Sequence, residues 1–559
     1  MRRPDIGRDR VLLAYDGLDG RGRETLIRFD PAPVELYDDR AVLHFDLRPR
    51  QRAAAFITIS CEPEQFERPL RRNFFIAFRD ARRALSASSG RAATVETSNE
   101  TFNEIVRRSV ADLYMLMTDT AEGAYPYAGI PWFSTVFGRD AIITAMQMLW
   151  IDPTIARGVL AHLAANQATA ADHQADAEPG KILHEVRCGE MAELGEVPFR
   201  RYYGSIDSTP LFLMLAGAYL SRTGDVRFLE RLWPSIEGAL TWITAYGDRD
   251  GDGFLEYARR NNQGLANQGW KDSEDSVSHA DGSLAEGPIA LCEVQAYAYA
   301  ALLAAADVAA RLGHKQRAAE LNQRGETLKR AFDVAFWDAD LGMYVLALDG
   351  KKRACRVRAS NAGHVLLCGL ALPERAHSVA RELMSSRFYS GWGVRTLAST
   401  EVRYNPMSYH NGSVWPHDNA LIAAGFARYG FTTEAARLFQ GLVAAAGHVD
   451  FRRLPELFCG FPRRRGQGPT FYPVACSPQA WAAATPLSLL QACLGLGFQP
   501  SEATIRFDHP VLPAFLDEVL LRGLTLPQGR ADVAIRRNGG ELAVSVLSRT
   551  GDVDVLTVH

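Results

Sequence analysis

The feature that most constrains this chain is the rhythm of its connections. Helical periodicity sets in near residue 99 and marks twelve helices: 99–118, 138–151, 153–168, 206–223, 225–246, 287–312, 314–335, 360–369, 373–385, 412–429, 431–447 and 476–496. Every second connection is only a few residues long. The others, 119–137, 169–205, 247–286, 336–359, 386–411 and 448–475, are long. Successive antiparallel helices place alternate connections at opposite ends, so all the long loops fall on one face. Twelve helices in hairpins with one elaborated face predict a mainly α fold, an (α/α)6 barrel of six helical hairpins. Long loops inside a compact domain usually carry function, so the long-loop face is the active one.

Local punctuation supports the helices. Asp152-Pro153 offers an N-cap followed by proline at the first helical position. Gly224-Asp225 ends one helix and caps the next, whose stripe is Phe228, Leu229, Leu232, Trp233, Ile236, Leu240 and Ile243. The flanks read differently. VLLAYDGL, TLIRFD, AVLHFDLRP and AAFITISCE predict short antiparallel strands over residues 1–90, with 86–99 as a linker. This segment is small and begins abruptly, which reads as the remnant of a larger β-domain. The barrel is expected over 91–500, and 501–559 reads as a small β-rich cap with a hairpin signal at 538–540.

Composition enters as exclusion. A net charge of -3 gives no pull toward nucleic acid or an anionic membrane. No stretch approaches the roughly 20 apolar residues of a membrane span, and the N-terminus lacks an apolar signal core. Eight cysteines, scattered without metal spacing, predict reduced thiols and a cytoplasmic protein. The oligomeric state is not legible.

The long loops concentrate the chemistry. AYPYAGIPWFSTVFGRD holds Trp132 and Phe137 ahead of Arg139 and Asp140. FRRYYGSIDSTP holds Asp207, QGWKDSEDS holds Trp270, Lys271 and Asp272, and YNPMSYHNGSVWPHDNA holds His410, Asn411, Trp415 and His417. Aromatic plates among Asp, Arg, His and Asn suit a polyol with apolar ring faces. Glycoside hydrolysis needs two carboxyls from different loops. Asp272, after Trp270, fits a general acid kept protonated by partial desolvation. Glu456 in LPELFCGF fits a base on a loop stiffened by Pro455. Glu274, Asp275, Asp140, Asp207 and Asp418 compete with them, and His410 with His417 would suit a sugar epimerase instead. DRDGDGFLE approaches a calcium loop through Asp248, Asp250, Asp252 and Glu256, but Arg259 stands where the template needs glutamate. No metal or cofactor is expected for catalysis, and structural Ca²⁺ at this loop is the one open metal reading.

Five motifs, IPWFSTVFGRD, YGSIDSTPLF, NQGWKDSEDSV, YHNGSVWPHDNALI and LPELFCGF, resemble the bacterial amylo-α-1,6-glucosidase or glycogen-debranching-like family, related to glycoside hydrolase families 133, 63 and 15. The resemblance covers roughly residues 95–500. It implies an (α/α)6 barrel and an inverting, cofactor-free α-glucosidase acting on α-1,6-linked glucose of glycogen-like oligosaccharides. Asp272 would be the general acid and Glu456 the general base. Arg139, Asp140 and Asp207 would hold sugar hydroxyls, with Trp132, Trp270, Trp415 and His417 as pocket walls and Phe137, Lys271, His410 and Asn411 beside them. Hydrolysis of another small α-glycoside is equally compatible with the motifs.

Overall fold

The computed structural model describes residues 2–61, 70–539 and 541–558. They form two compact units, residues 1–91 with 188–200, and residues 92–187 with 201–559. In the first unit the strands Asp5–Ile6, Arg10–Asp16, Gly22–Asp30 and Phe56–Ser60 pair antiparallel in chain order. The strand expected over AVLHFDLRP shrinks to Ala41–Val42, paired with Glu35–Leu36.

Helix α1 spans Leu70–Ser89, correcting the expectation of strands and then a linker there. The segment has neither glycine nor proline and is rich in arginine and alanine, strong helix formers. Phe74 and Phe78, one turn apart, stack with ring centroids 6.3 Å apart. The rest of the supposed linker contains the strand Thr94–Thr97, which belongs to the second unit.

All twelve helices expected from the periodicity are present in the second unit, with ends shifted by a few residues. They are α2 (Glu100–Leu116), α3 (Gly138–Met148), α4 (Pro153–Ala165), α5 (Ser208–Thr223), α6 (Val226–Trp242), α7 (Cys292–Arg311), α8 (Lys315–Phe336), α9 (Asn361–Leu367), α10 (Pro373–Leu383), α11 (Pro416–Arg428), α12 (Thr432–Ala446) and α13 (Ala480–Leu494). Contacts between the odd-numbered helices run in order: α3 meets α5, α5 meets α7, α7 meets α9, α9 meets α11, α11 meets α13, and α13 returns to α3. The even-numbered helices pack outside their neighbours, α4 on α3 and α5, α8 on α7, α12 on α11 and α13.

The sequence explains this sorting. The odd helices are buried nearly all round; α7 reads CEVQAYAYAALLAAADVAAR, and its alanines allow close approach. At Gly217 of α5 an added Cβ would lie 2.6 Å from that of Ala304 in α7, so only glycine fits that crossing. The even helices are amphipathic; α6 buries Phe228, Leu229, Leu232, Ile236 and Leu240 on one face. Asp152 caps α4 through the Thr154 N–H, Asp225 caps α6 through the Phe228 N–H, and Gly224 ends α5 in the left-handed region at φ 67°.

Beyond α13, Leu496–Gln499, Thr504–Asp508 and Asp554–Val558 form one sheet, its last pair parallel. Glu541–Gly551, Gly529–Asn538, Glu518–Leu526 and Thr94–Thr97 form another, antiparallel throughout. The expected hairpin is present, with Asn538 paired to Glu541, although Gly540 itself lies outside the described residues. Among the described residues no helix is long and apolar enough to cross a membrane.

Candidate active site

Five of the long connections lead into the N-termini of α5, α7, α9, α11 and α13, and 117–137 leads into α3. None of these six helices has a side-chain N-cap hydrogen bond, whereas α2, α4 and α6 are capped by Asn99, Asp152 and Asp225. Several of their first-turn N–H groups are met by other loops or residues, Gly138 by the His184 carbonyl, Ser208 by the Ser205 hydroxyl and Cys292 by the Leu346 carbonyl, and the positive end of each helix dipole lies at these starts. Buried acids stand at three of these starts, Asp140 in α3, Glu293 in α7 and Asp418 in α11, whereas Asp272 and Glu456 lie on the loops before α7 and α13.

Arg139 and Asp140 sit in the first turn of α3, buried. The Arg139 guanidinium donates to both oxygens of Asp207, at 3.2 and 3.1 Å, and to Oδ2 of Asp272 at 3.0 Å. Ser205 donates a further hydrogen bond to Asp207. Asp207 is fully enclosed, but the Asp272 side chain keeps 29% of its surface open, so it alone of the two is reachable. Burial pushes Asp272 upward and the Asp207 charge adds to that, while Arg139 draws it down; the net direction is up.

The backbone around Asp272 is clamped from several sides. Lys271 points into the core and donates to the Thr396 carbonyl at 2.6 Å; burial lowers its ammonium to about 8. Ser273 meets Nδ1 of His410 through its N–H and hydroxyl, and Asn411 donates to the Asp275 carbonyl at 3.1 Å. The polar atoms of Lys271, His410 Nδ1 and Asn411 thus serve the loop. Trp270 is packed by His417, Trp415, His410 and His364, at ring centroids of 5.1 to 6.0 Å. His417 lies flat on Trp481 at 3.7 Å, and neither of its ring nitrogens has a partner among the described residues. Burial holds both His410 and His417 well below the usual imidazole range.

Glu456 is buried, and its two oxygens have separate donors. The Tyr409 hydroxyl donates to Oε1 and the Cys476 N–H to Oε2 at 2.8 Å. Burial raises its carboxyl to about 7, with Asp140 and Asp272 pushing in the same direction, against the two hydrogen bonds. Asp140 accepts from Gln479 at 3.2 Å and is also raised by burial, to about 7. The competing acids separate clearly: Glu274 and Asp275 are exposed, and Asp418 pairs with His364 at 2.7 Å. Phe137 precedes α3 and packs under the Arg187 guanidinium, 5.4 Å from its ring centroid. Trp132 is not enclosed; 55% of its surface is exposed at the rim. Trp415 donates its indole N–H to the Tyr409 carbonyl.

Three groups escaped the sequence reading. Glu185 is a further buried carboxyl raised to about 7, within electrostatic reach of Asp272 and Asp140. Its backbone bridges both Phe137 and Tyr202. Nothing in HEVR marks it, since its burial comes from pairing across distant loops. Tyr409 and Gln479 gain their importance only from the carboxyls they face.

At the Asp248–Asp252 loop the ligand atoms of Asp248, Asp250 and Asp252 lie within 4.8 Å of one another. The Lys352 ammonium contacts Asp250 at 2.9 Å and Asp252 at 2.6 Å, and also Glu256. A lysine therefore already supplies positive charge there. The cavity of about 960 Å³ between α12, residues 509–514, Arg537, Glu541 and Leu542 holds none of the carboxyls described above.

Residues 136–453, more than half the chain, match the mannosylglycerate hydrolase MGH1-like glycoside hydrolase domain. Residues 1–58 match the N-terminal domain of some glycogen debranching enzymes. No curated protein sequence matches the chain. Among solved structures, a family 78 rhamnosidase of a Bacillus species shares 17% identity at a TM-score of 0.59, covering 84% of this chain and 43% of that one. A sialidase shares 14% at a TM-score of 0.61, covering 94% and 48%. The family 63 mannosylglycerate hydrolase of Thermus thermophilus, solved with Tris, shares 15% at a TM-score of 0.51, covering 69% and 99%. At these identities the likeness is one of fold, and the chain spans less than half the length of the first two.

Proposed function

The chain belongs to the family of mannosylglycerate hydrolase MGH1-like glycoside hydrolase domains, and from that premise we propose that it is an inverting hydrolase of α-glucosidic bonds, with α-1,6-linked glucose of glycogen-like oligosaccharides as its substrate. One observation carries this reading: Asp272 and Glu456, on different long loops, are both raised by burial yet have different partners. Asp272 faces a guanidinium, and Glu456 faces a hydroxyl and an amide N–H.

In this mechanism the Asp272 carboxyl gives its proton to the glycosidic oxygen as the bond from that oxygen to the anomeric carbon breaks. The Arg139 guanidinium at 3.0 Å favours the carboxylate that forms, an interaction that strengthens only as the proton leaves. The Glu456 carboxylate takes a proton from water, whose oxygen bonds to the anomeric carbon from the opposite face. Configuration inverts, and after release Asp272 takes a proton from solvent while Glu456 gives its proton up, resetting both groups. Asp207 positions Arg139, and Asp140 with Gln479 faces the sugar hydroxyls. The closed order of contacts from α3 round to α13 supports reading the helices as an (α/α)6 barrel. A cytoplasmic location belongs to the same reading, supported by the eight free cysteines.

The glucan assignment draws on the debranching-enzyme match of residues 1–58. The family match itself favours a second reading, a smaller α-glycoside such as mannosylglycerate. An epimerase reading has less support, because Nδ1 of His410 is taken by Ser273 and His417 is stacked on Trp481. The test is sugar release from an α-1,6-branched maltooligosaccharide, a linear α-1,4 maltooligosaccharide and mannosylglycerate. Fastest release from the branched glucan supports the proposal; release from mannosylglycerate alone supports the second reading and refutes the first.

A further inference from the structure

The exposed aromatic surface around the long loops is not scattered. Trp132 keeps 55% of its surface exposed, Phe471 49% and Val474 56%. The Trp132 indole N–H donates to the Val474 carbonyl at 3.0 Å. Beside it, Ser477 donates to the Ile130 carbonyl and Ile130 to that of Pro478, both at 3.0 Å, so the two segments run edge to edge. Phe471 bridges Phe458, two residues past Glu456. The next residue, Tyr472, turns inward and packs 5.6 Å from the ring of Tyr409, which donates to Glu456. The exposed plates are thus carried on backbone anchored at the pocket.

Large rings left in water at the mouth of a sugar pocket are surface that a sugar chain would cover. The apolar faces of Trp132 and Phe471 suit the C–H faces of pyranose rings, Val474 adds apolar surface beside Trp132, and none of the three side chains carries charge, which fits a neutral polymer. We infer that Trp132, Phe471 and Val474 form an outer platform for sugar units beyond the scissile bond, making the substrate an extended α-glucan chain rather than a disaccharide. This rests on the α-glucosidase reading of the pocket. Each stacked plate would tighten binding about two- to tenfold.

The test is calorimetric binding of maltotriose and maltohexaose to the full chain carrying Asp272→Asn, which prevents turnover. Maltohexaose is expected to bind about tenfold tighter than maltotriose. Adding Phe471→Ala should bring the two sugars within about twofold by weakening only the longer one, and Phe471→Tyr should restore the difference. Because Phe471 is exposed, the alanine variant should keep the parent's melting temperature. Equal affinity for the two sugars in the parent, or equal weakening of both by Phe471→Ala, overturns the platform. Maltotriose binding without a length effect overturns the platform and leaves the α-glucosidase reading standing, and no binding of either linear sugar likewise overturns the platform, leaving the α-1,6 reading to sugar release from the branched substrate.

Discussion

Tyr409→Phe isolates one hydrogen bond at the general base. The ring keeps its contacts with His410 at 4.6 Å, Trp415 at 4.9 Å and Tyr472 at 5.6 Å, so packing is preserved and only the hydroxyl is lost. That hydroxyl is one of two donors to Glu456, and it holds the carboxyl down against burial. A hydrogen bond to a charged acceptor contributes about 1.5–3 kcal/mol, equivalent to about 1–2 pH units. Glu456 should therefore rise from about 7 toward 8 or above. The base works only as carboxylate, so activity is lost as pH falls through its pKa. The acid limb of kcat/KM should move up by at least about one unit, leaving roughly a tenth of the base ionised at pH 7. The assay is the pH profile of kcat/KM for parent and variant, with melting temperature as the folding control. A limb that stays in place or moves to lower pH, in a folded variant, refutes the reasoning.

Other outcomes follow from the same charges. Asp140→Asn removes a like charge that raises Glu456, so its acid limb should shift to lower pH, the reverse of Tyr409→Phe. Glu456 is protonated in both folded and unfolded states below its ordinary 4.5, but above its folded value of about 7 the folded state holds a buried charge. That difference corresponds to about 3 kcal/mol, so Glu456→Gln should raise the melting temperature at pH 8 and leave it unchanged at pH 4. Arg139→Lys cannot reproduce the fork to Asp207 and Asp272 and should cut kcat at least about 100-fold, read by steady-state kinetics. Because Lys352 sits against Asp250, Asp252 and Glu256, millimolar Ca²⁺ or a chelator should leave the melting temperature unchanged, and Lys352→Gln should make it rise with Ca²⁺.

The helices were legible because burial stamps a 3.6-residue period on the chain. Caps such as Asp152 and Asp225 then fixed their starts within a few residues. Helix α1 was missed because its arginines and phenylalanines follow strand-like runs with no glycine or proline to mark the change. Thr94–Thr97 was missed for a different reason: its partner, Glu518–Leu526, lies more than four hundred residues away, and pairing at that separation leaves no local signal. At the site, Asp272 and Glu456 were candidates through their aromatic and apolar neighbours in sequence, alongside Glu274, Asp275, Asp140, Asp207 and Asp418, and only the family motifs singled them out. Glu185, Tyr409 and Gln479 did not, because what makes them matter is a carboxyl brought near by another loop. Lys352 shows the same gap, since the acids of its loop were visible but the cation facing them was not.

The most direct test follows the anomer released from an α-1,6-branched maltooligosaccharide by NMR, using the parent protein and its Asp272→Asn and Glu456→Gln variants. β-Glucose appearing first with the parent, and no release by either variant, is the predicted result. α-Glucose as the first product, or turnover surviving either substitution, would contradict the assignment of these two carboxyls as an inverting acid and base.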